Sequence, residues 1–82
     1  MSWYIYILLC KDKSYYVGIT NDLEKRVILH NAGKGSKYLL SKLPVTLLYS
    51  EKYINKSGAR KREIQLKGWS RTKKENLIKG RI

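Results

Sequence analysis

Apolar and polar positions alternate in blocks that suit short elements. Trp3 to Cys10 is an unbroken stretch of aromatic, β-branched and aliphatic residues and reads as a strand. Lys11 to Ser14 is polar and turn-like, and Tyr15 to Ile19 reads as a second strand that closes a hairpin. Thr20-Asn21-Asp22 announces a helix reaching about Asn31, with Asn21 as N-cap and Glu24 three residues on. Ala32 to Lys37, with Gly33 and Gly35, reads as a mobile basic loop, and Tyr38 to Leu43 fits no single element. Pro44 opens a third strand, Val45 to Tyr53, in which the alternation is only partial. Ser57 is a candidate N-cap for a second helix over Ala59 to about Trp69, and a short third helix follows a break at Ser70 to Thr72. The order ββαβαα predicts one small α/β (α+β) domain over residues 1–82: a three-stranded antiparallel sheet flanked by helices.

The hairpin carries a register expectation. Directly paired residues of an antiparallel pair share a sheet face, so Tyr6 and Tyr16 agree only when pair numbers sum to an even value. A four-residue loop over Lys11 to Ser14 would split them. If the two tyrosines serve one site, a three- or five-residue loop or a bulge is expected, with Lys13 or Ser14 in the left-handed region.

Charge narrows the partners. The 82 residues hold 18 Lys and Arg against 6 Asp and Glu, a net charge of +12. Such a field favours a polyanion, nucleic acid or an anionic membrane surface. The apolar run Ile5 to Cys10 is far too short to span a bilayer, and no broad apolar helix face suits a membrane surface. Cys10 is the only cysteine, which excludes an intrachain disulfide and suits a reducing interior. No signal peptide is expected. These points favour a cytoplasmic protein whose partner is nucleic acid. Cys10 reads as a small buried hydrophobe, Trp3 and Trp69 as lids over a thin core, and Tyr15, Tyr38, Tyr49 and Tyr53 as packing residues.

Candidate chemistry lies on the helices. "GKGSK" at Gly33 to Lys37 lacks the full phosphate-loop pattern. On the first helix Leu23 and Val27 form the apolar stripe, and Arg26 and His30, four apart, flank it on one side. They read either as a solvated cation and a structural histidine or as parts of a site. On the second helix Glu63 falls between Ala59 and Leu66 on the core-facing side. A buried carboxylate must be paired, by Arg60 or Arg62, or must hold a cation.

Four of the seven tyrosines lie between Tyr4 and Thr20, as two clusters either side of the turn. "YIY" at Tyr4 to Tyr6, "YVG" at Tyr16 to Gly18, then Arg26, His30 and Glu63 in that order resemble the GIY-YIG nuclease family, in particular its short single-domain UPF0213-like members. Tyr4 stands where the first motif has glycine. The resemblance covers nearly the whole chain. It implies a metal-dependent endonuclease that hydrolyses phosphodiester bonds in DNA, structured or single-stranded. By this resemblance Glu63 holds one Mg²⁺ or Mn²⁺, Arg26 neutralises charge on phosphate oxygens, Tyr16 positions or deprotonates the attacking water beside Tyr6, and His30 relays a proton or orients that water. Gly18, without a Cβ, permits a close approach beside the tyrosines. Lys34, Lys37, Arg60, Lys61 and Lys67 are expected to track phosphates. The rival expectation is a basic module that keeps the fold and binds DNA or structured RNA without cutting.

Overall fold

The computed structural model describes residues 2–81. Its sheet has the order β2-β1-β3 and is antiparallel throughout, with β1 (Trp3–Leu9) in the middle between β2 (Tyr15–Thr20) and β3 (Thr46–Tyr53). A middle strand covered on both faces is apolar at every position, which is why Ile5 to Leu8 shows no alternation: all four are buried. Ile5, Ile7 and Val17 point to one face. There α2 (Lys56–Lys67) lays Ala59 and Leu66 on them, and Leu77 and Ile78 of α3 (Arg71–Ile78) pack alongside. Tyr6, Leu8 and Cys10 point to the other face, where they meet Leu23 and Val27 of α1 (Leu23–Asn31) together with Leu39 and Val45. The predicted order ββαβαα and the three-stranded antiparallel sheet are thus present.

The hairpin takes the register that the tyrosines require. Tyr6 faces Gly18 and Leu8 faces Tyr16, so Tyr6 and Tyr16 leave the same face. Cys10 N–H donates to the Ser14 carbonyl (2.9 Å), which leaves a three-residue loop, Lys11 to Lys13. Lys13 takes the left-handed conformation, φ 72°. The Asp12 carboxylate secures the turn by accepting from Ser14 N–H at 3.0 Å and from Lys42 Nζ at 2.6 Å. The partial alternation of β3 also has a cause. A bulge lies opposite Ile7 and Leu8, which pair with Tyr49 and Leu47 and leave Leu48 as the extra residue.

Three boundaries differ from expectation. The N-cap of α1 is Asp22, not Asn21: its carboxylate accepts from Lys25 N–H at 3.1 Å, and the Thr20 hydroxyl accepts from Asp22 N–H at 3.1 Å and fixes the entry. A carboxylate at this end also meets the positive pole of the helix. In α2 the cap is Asn55, not Ser57. Asn55 is extended and accepts from Gly58 N–H at 2.9 Å, which starts the helix three residues before Ala59 and leaves Ser57 inside the first turn. Ser70, read as a break, caps α3 by accepting from Lys73 N–H at 3.2 Å. The segment before β3 includes a short 3-10 turn, Leu40–Lys42, and a cis Leu43–Pro44 bond. Asn31 at the end of α1 ties this segment down, its amide bonding both Val45 N–H (2.8 Å) and the Val45 carbonyl (3.1 Å).

Candidate active site

Because Tyr6 and Tyr16 share a face, their rings meet, with centroids 6.4 Å apart. The last turn of α1 brings His30 to the same point. Its Nε2 lies 3.0 Å from the Tyr6 hydroxyl, and its ring stands edge-on to Tyr16 at 5.6 Å. Tyr6 and His30 are each 1% exposed. Two glycines make room for this pair. A Cβ on Gly18 would stand 2.5 Å from the Tyr6 hydroxyl oxygen, and a Cβ on Gly35 would stand 2.3 Å from Nδ1 of His30. The loop after α1 therefore folds its backbone over the imidazole.

This enclosure sets the protonation states. Burial first, then the neighbouring Tyr16, pushes the Tyr6 hydroxyl well above its ordinary value, against the pull of Arg26. Burial, then the Arg26 guanidinium, pushes His30 below 6.5, so the imidazole is neutral at pH 7. His30 Nδ1 is buried without a hydrogen-bond partner. An unpaired lone pair is better tolerated than an unpaired N–H, so we assign the ring proton to Nε2, donated to the Tyr6 oxygen. The Tyr6 O–H is then left to donate elsewhere.

Arg26, half-buried one turn before His30, is close enough for its charge to act on both Tyr6 and His30. Glu63 arrives from the other side. Its helix covers the opposite sheet face, yet its charge still raises Tyr6. The residue is 5% exposed, and its carboxylate accepts from Arg60 on Oε1 and from Lys67 Nζ (3.2 Å) on Oε2. Arg62, expected as a possible partner, turns away instead and grips Glu51 with Nε at 2.9 Å and Nη2 at 3.0 Å, because consecutive helical residues point about 100° apart. Glu51 also accepts from the Tyr49 and Tyr53 hydroxyls.

Tyr6, Tyr16, Arg26, His30 and, through its charge, Glu63 thus converge. Among the described residues no group of three or more His, Cys, Asp or Glu side chains is arranged for a metal. A cation at Glu63 would take one protein carboxylate, with water and phosphate oxygens completing its shell, as hard divalent ions accept. The buried carboxylate, paired among the described residues with two cations whose own side chains are more than half exposed, fits that donor set.

Lys34 and Lys37 are exposed in the loop that crosses His30, Arg60 and Lys67 flank Glu63, and Lys61 is exposed on α2. Two neighbours of the site were not singled out from the sequence. Gly35 had a signal only in its Gly-rich loop. Tyr38, taken there for a packing residue, is 60% exposed and stacks on Tyr16 with centroids 6.1 Å apart. Its place after a run of polar loop residues was the available sign of exposure.

Comparison with known proteins places the whole chain. Residues 2–76 match the GIY-YIG catalytic domain. A UPF0213 protein of Staphylococcus saprophyticus is 52% identical over 75 residues, 92% of each chain, and one of Staphylococcus haemolyticus is 46% identical over 95% of each chain. The solution structure of a UPF0213 protein from Bacillus halodurans is 40% identical, with a TM-score of 0.62 over 96% of this chain and 84% of that one. A solution structure from E. faecalis is 39% identical, with a TM-score of 0.66 over 98% and 85%. A domain match over most of the chain, with relatives of this identity along nearly its full length, makes the protein a member of the GIY-YIG nuclease family.

Proposed function

We propose that this protein is a metal-dependent endonuclease that hydrolyses phosphodiester bonds in DNA. The observation that carries the proposal is the convergence of Tyr6, Tyr16 and His30 in ring contact, with the charges of Arg26 and Glu63 acting on Tyr6. Pure binding of a polyanion gains nothing from a buried carboxylate at a cationic site such as that of Glu63.

In the reaction water attacks phosphorus, the bond to the departing sugar oxygen breaks, and one proton passes from the water to that oxygen's side of the site. Tyr16, reaching the site from β2 on the same face as Tyr6, orients the water and passes its own O–H proton on toward the departing oxygen as it takes the water's, ending the step neutral. Arg26 balances charge that builds on the non-bridging oxygens. Tyr6, kept neutral by its enclosure, bonds His30 and packs on Tyr16, and so positions the ring that meets the water. His30 acts through Tyr6: one imidazole nitrogen meets that hydroxyl and the other lies under Gly35. Glu63 would hold a single Mg²⁺ or Mn²⁺, whose chemistry would be to supply further positive charge at the scissile phosphate. The exposed Lys34, Lys37, Arg60, Lys61 and Lys67 guide the DNA backbone, and a reducing cytoplasm is the setting that a single buried Cys10 suits.

The test is a panel of labelled DNA and RNA strands, duplexes and branched forms, incubated with Mg²⁺, Mn²⁺ or a chelator. Metal-dependent strand scission that disappears in Tyr16→Phe, with an unchanged melting temperature, is the expected result. Binding without scission in every arm would overturn the proposal and favour the non-cutting module.

A further inference from the structure

Tyr38 has no role in the chemistry above, yet it is placed at its edge. Its ring lies at 28° to that of Tyr16, and the Tyr16 ring in turn contacts Tyr6 and His30. A line of rings therefore runs from the buried pair to the surface and ends at Tyr38. At 60% exposure, Tyr38 leaves an aromatic surface in water, which is costly unless something covers it. Its neighbourhood says what that is. Lys37 precedes it and Lys34 lies in the same loop, both exposed, and Lys42 Nζ, itself paired with Asp12, sits 5.1 Å from its ring centroid. An exposed ring bordered by cations, on a chain of net charge +12, suits a flat apolar group carried on a polyanion. A nucleobase on its phosphate backbone is that group, and every base offers a π-face.

We propose that Tyr38 is a stacking platform for an unpaired base next to the scissile phosphate, and that it favours DNA whose bases are unstacked there, single-stranded or locally open. A base held in a duplex keeps both faces against its neighbours and gains nothing from Tyr38. The substrate assignment rests on the nuclease reading, whereas the platform itself is a matter of binding.

Binding is measured with the metal chelated, using a short single strand that carries 2-aminopurine at one position at a time, its duplex, and the same strand with an abasic site at the position most quenched. Stacking predicts quenching on the single strand. Tyr38→Ala should weaken single-strand binding about tenfold or more, and Tyr38→Phe should restore it, since base–aromatic contacts are of this size. Duplex and abasic-strand affinities should change by less than about twofold, because the duplex keeps its bases stacked and the abasic strand lacks the base that meets Tyr38. A merely structural Tyr38 would instead lower the melting temperature and weaken all three ligands alike. Equal loss on all three, or no loss on the single strand, overturns the proposal. If the parent protein cleaves no strand when metal is restored, the nuclease reading fails while the 2-aminopurine result still decides the role of Tyr38.

Discussion

The Tyr6 hydroxyl lies 3.0 Å from Nε2 of His30, and the pair is sealed between Gly18 beside the tyrosine and Gly35 over the imidazole. Tyr6→Phe would leave both imidazole nitrogens without partners. It should cost ~1–3 kcal/mol in stability and on the order of 10²-fold in cleavage. A linkage effect accompanies this. The folded-state pKa of His30 is depressed, so its contribution is present above the unfolded value of 6.5 and is lost as pH falls through the folded one. Melting temperatures of the parent and His30→Gln between pH 8 and 5 should diverge in slope, with the parent losing more below 6.5. Parallel slopes would show that His30 titrates alike in the folded and unfolded protein.

Gly18→Ala and Gly35→Ala test the seal itself. Each added methyl would overlap a ring that has nowhere to retreat, since Tyr6 and His30 are each 1% exposed. Each should cost ~1–3 kcal/mol by overpacking and suppress cleavage, read by melting and by scission of labelled DNA. A variant of either kind with unchanged melting and full cleavage would mean that the rings have more freedom than the geometry gives them.

Much of this was legible from pattern. The burial of Glu63 between Ala59 and Leu66 and the order of elements follow from side-chain periodicity, which is local, and the parity of the hairpin register follows once Tyr6 and Tyr16 are required to share a site. What periodicity misses is the partner chosen across elements. Helical spacing already favours Arg60, three residues before Glu63, over the adjacent Arg62, but only the fold shows that Arg62 faces β3 and Glu51. The contact of Gly35 with His30 is likewise a loop closure with no periodic signature. Two caps were misplaced because neighbouring Asn, Asp and Ser residues offer competing acceptors, and the entry turn decides among them.

Glu51 gives a prediction that separates the two arginines. Burial alone would raise its carboxyl, but hydrogen bonds from Arg62, Tyr49 and Tyr53 outweigh it and hold the group below its ordinary 4.5. The stabilisation is therefore present above 4.5 and is lost as pH falls through the folded value. Glu51→Gln should cost ~1–3 kcal/mol near neutral pH and flatten the acid side of the stability profile, measured by denaturant unfolding from pH 7 to 3. The Tyr49 hydroxyl, raised to about 12 chiefly by burial and then by Glu51, should ionise at lower pH in this variant, visible in an absorbance titration.

Phosphate contacts by the exposed basic residues predict strong salt dependence. Affinity for DNA should fall by about 0.9 log units per log unit of salt for each phosphate neutralised. Lys34→Ala and Lys37→Ala should each reduce that slope by about one contact if the loop over His30 tracks the backbone. An unchanged slope in both would place the DNA elsewhere on the surface.

Glu63→Gln separates a metal ligand from a structural ion pair. The two cations on Glu63 have side chains 57% and 52% exposed, so each can return to water when the charge is removed. Pairs with such exposed partners contribute little, so the loss should stay within ~1 kcal/mol. DNA binding should hold or tighten, since one negative charge leaves a basic surface. Cleavage should vanish in Mg²⁺ and in Mn²⁺, just as it should in the parent protein when a chelator is added, because the amide lacks the charge that holds a hard divalent ion. Had Glu63 been a fully buried pair, the same change would strand a cation and cost ~3–5 kcal/mol. Melting, binding and cleavage are therefore measured side by side on the parent and the variant. A large fall in melting temperature, or cleavage that survives the substitution, would remove Glu63 from the metal site and leave a nucleic-acid-binding module as the better description of this chain.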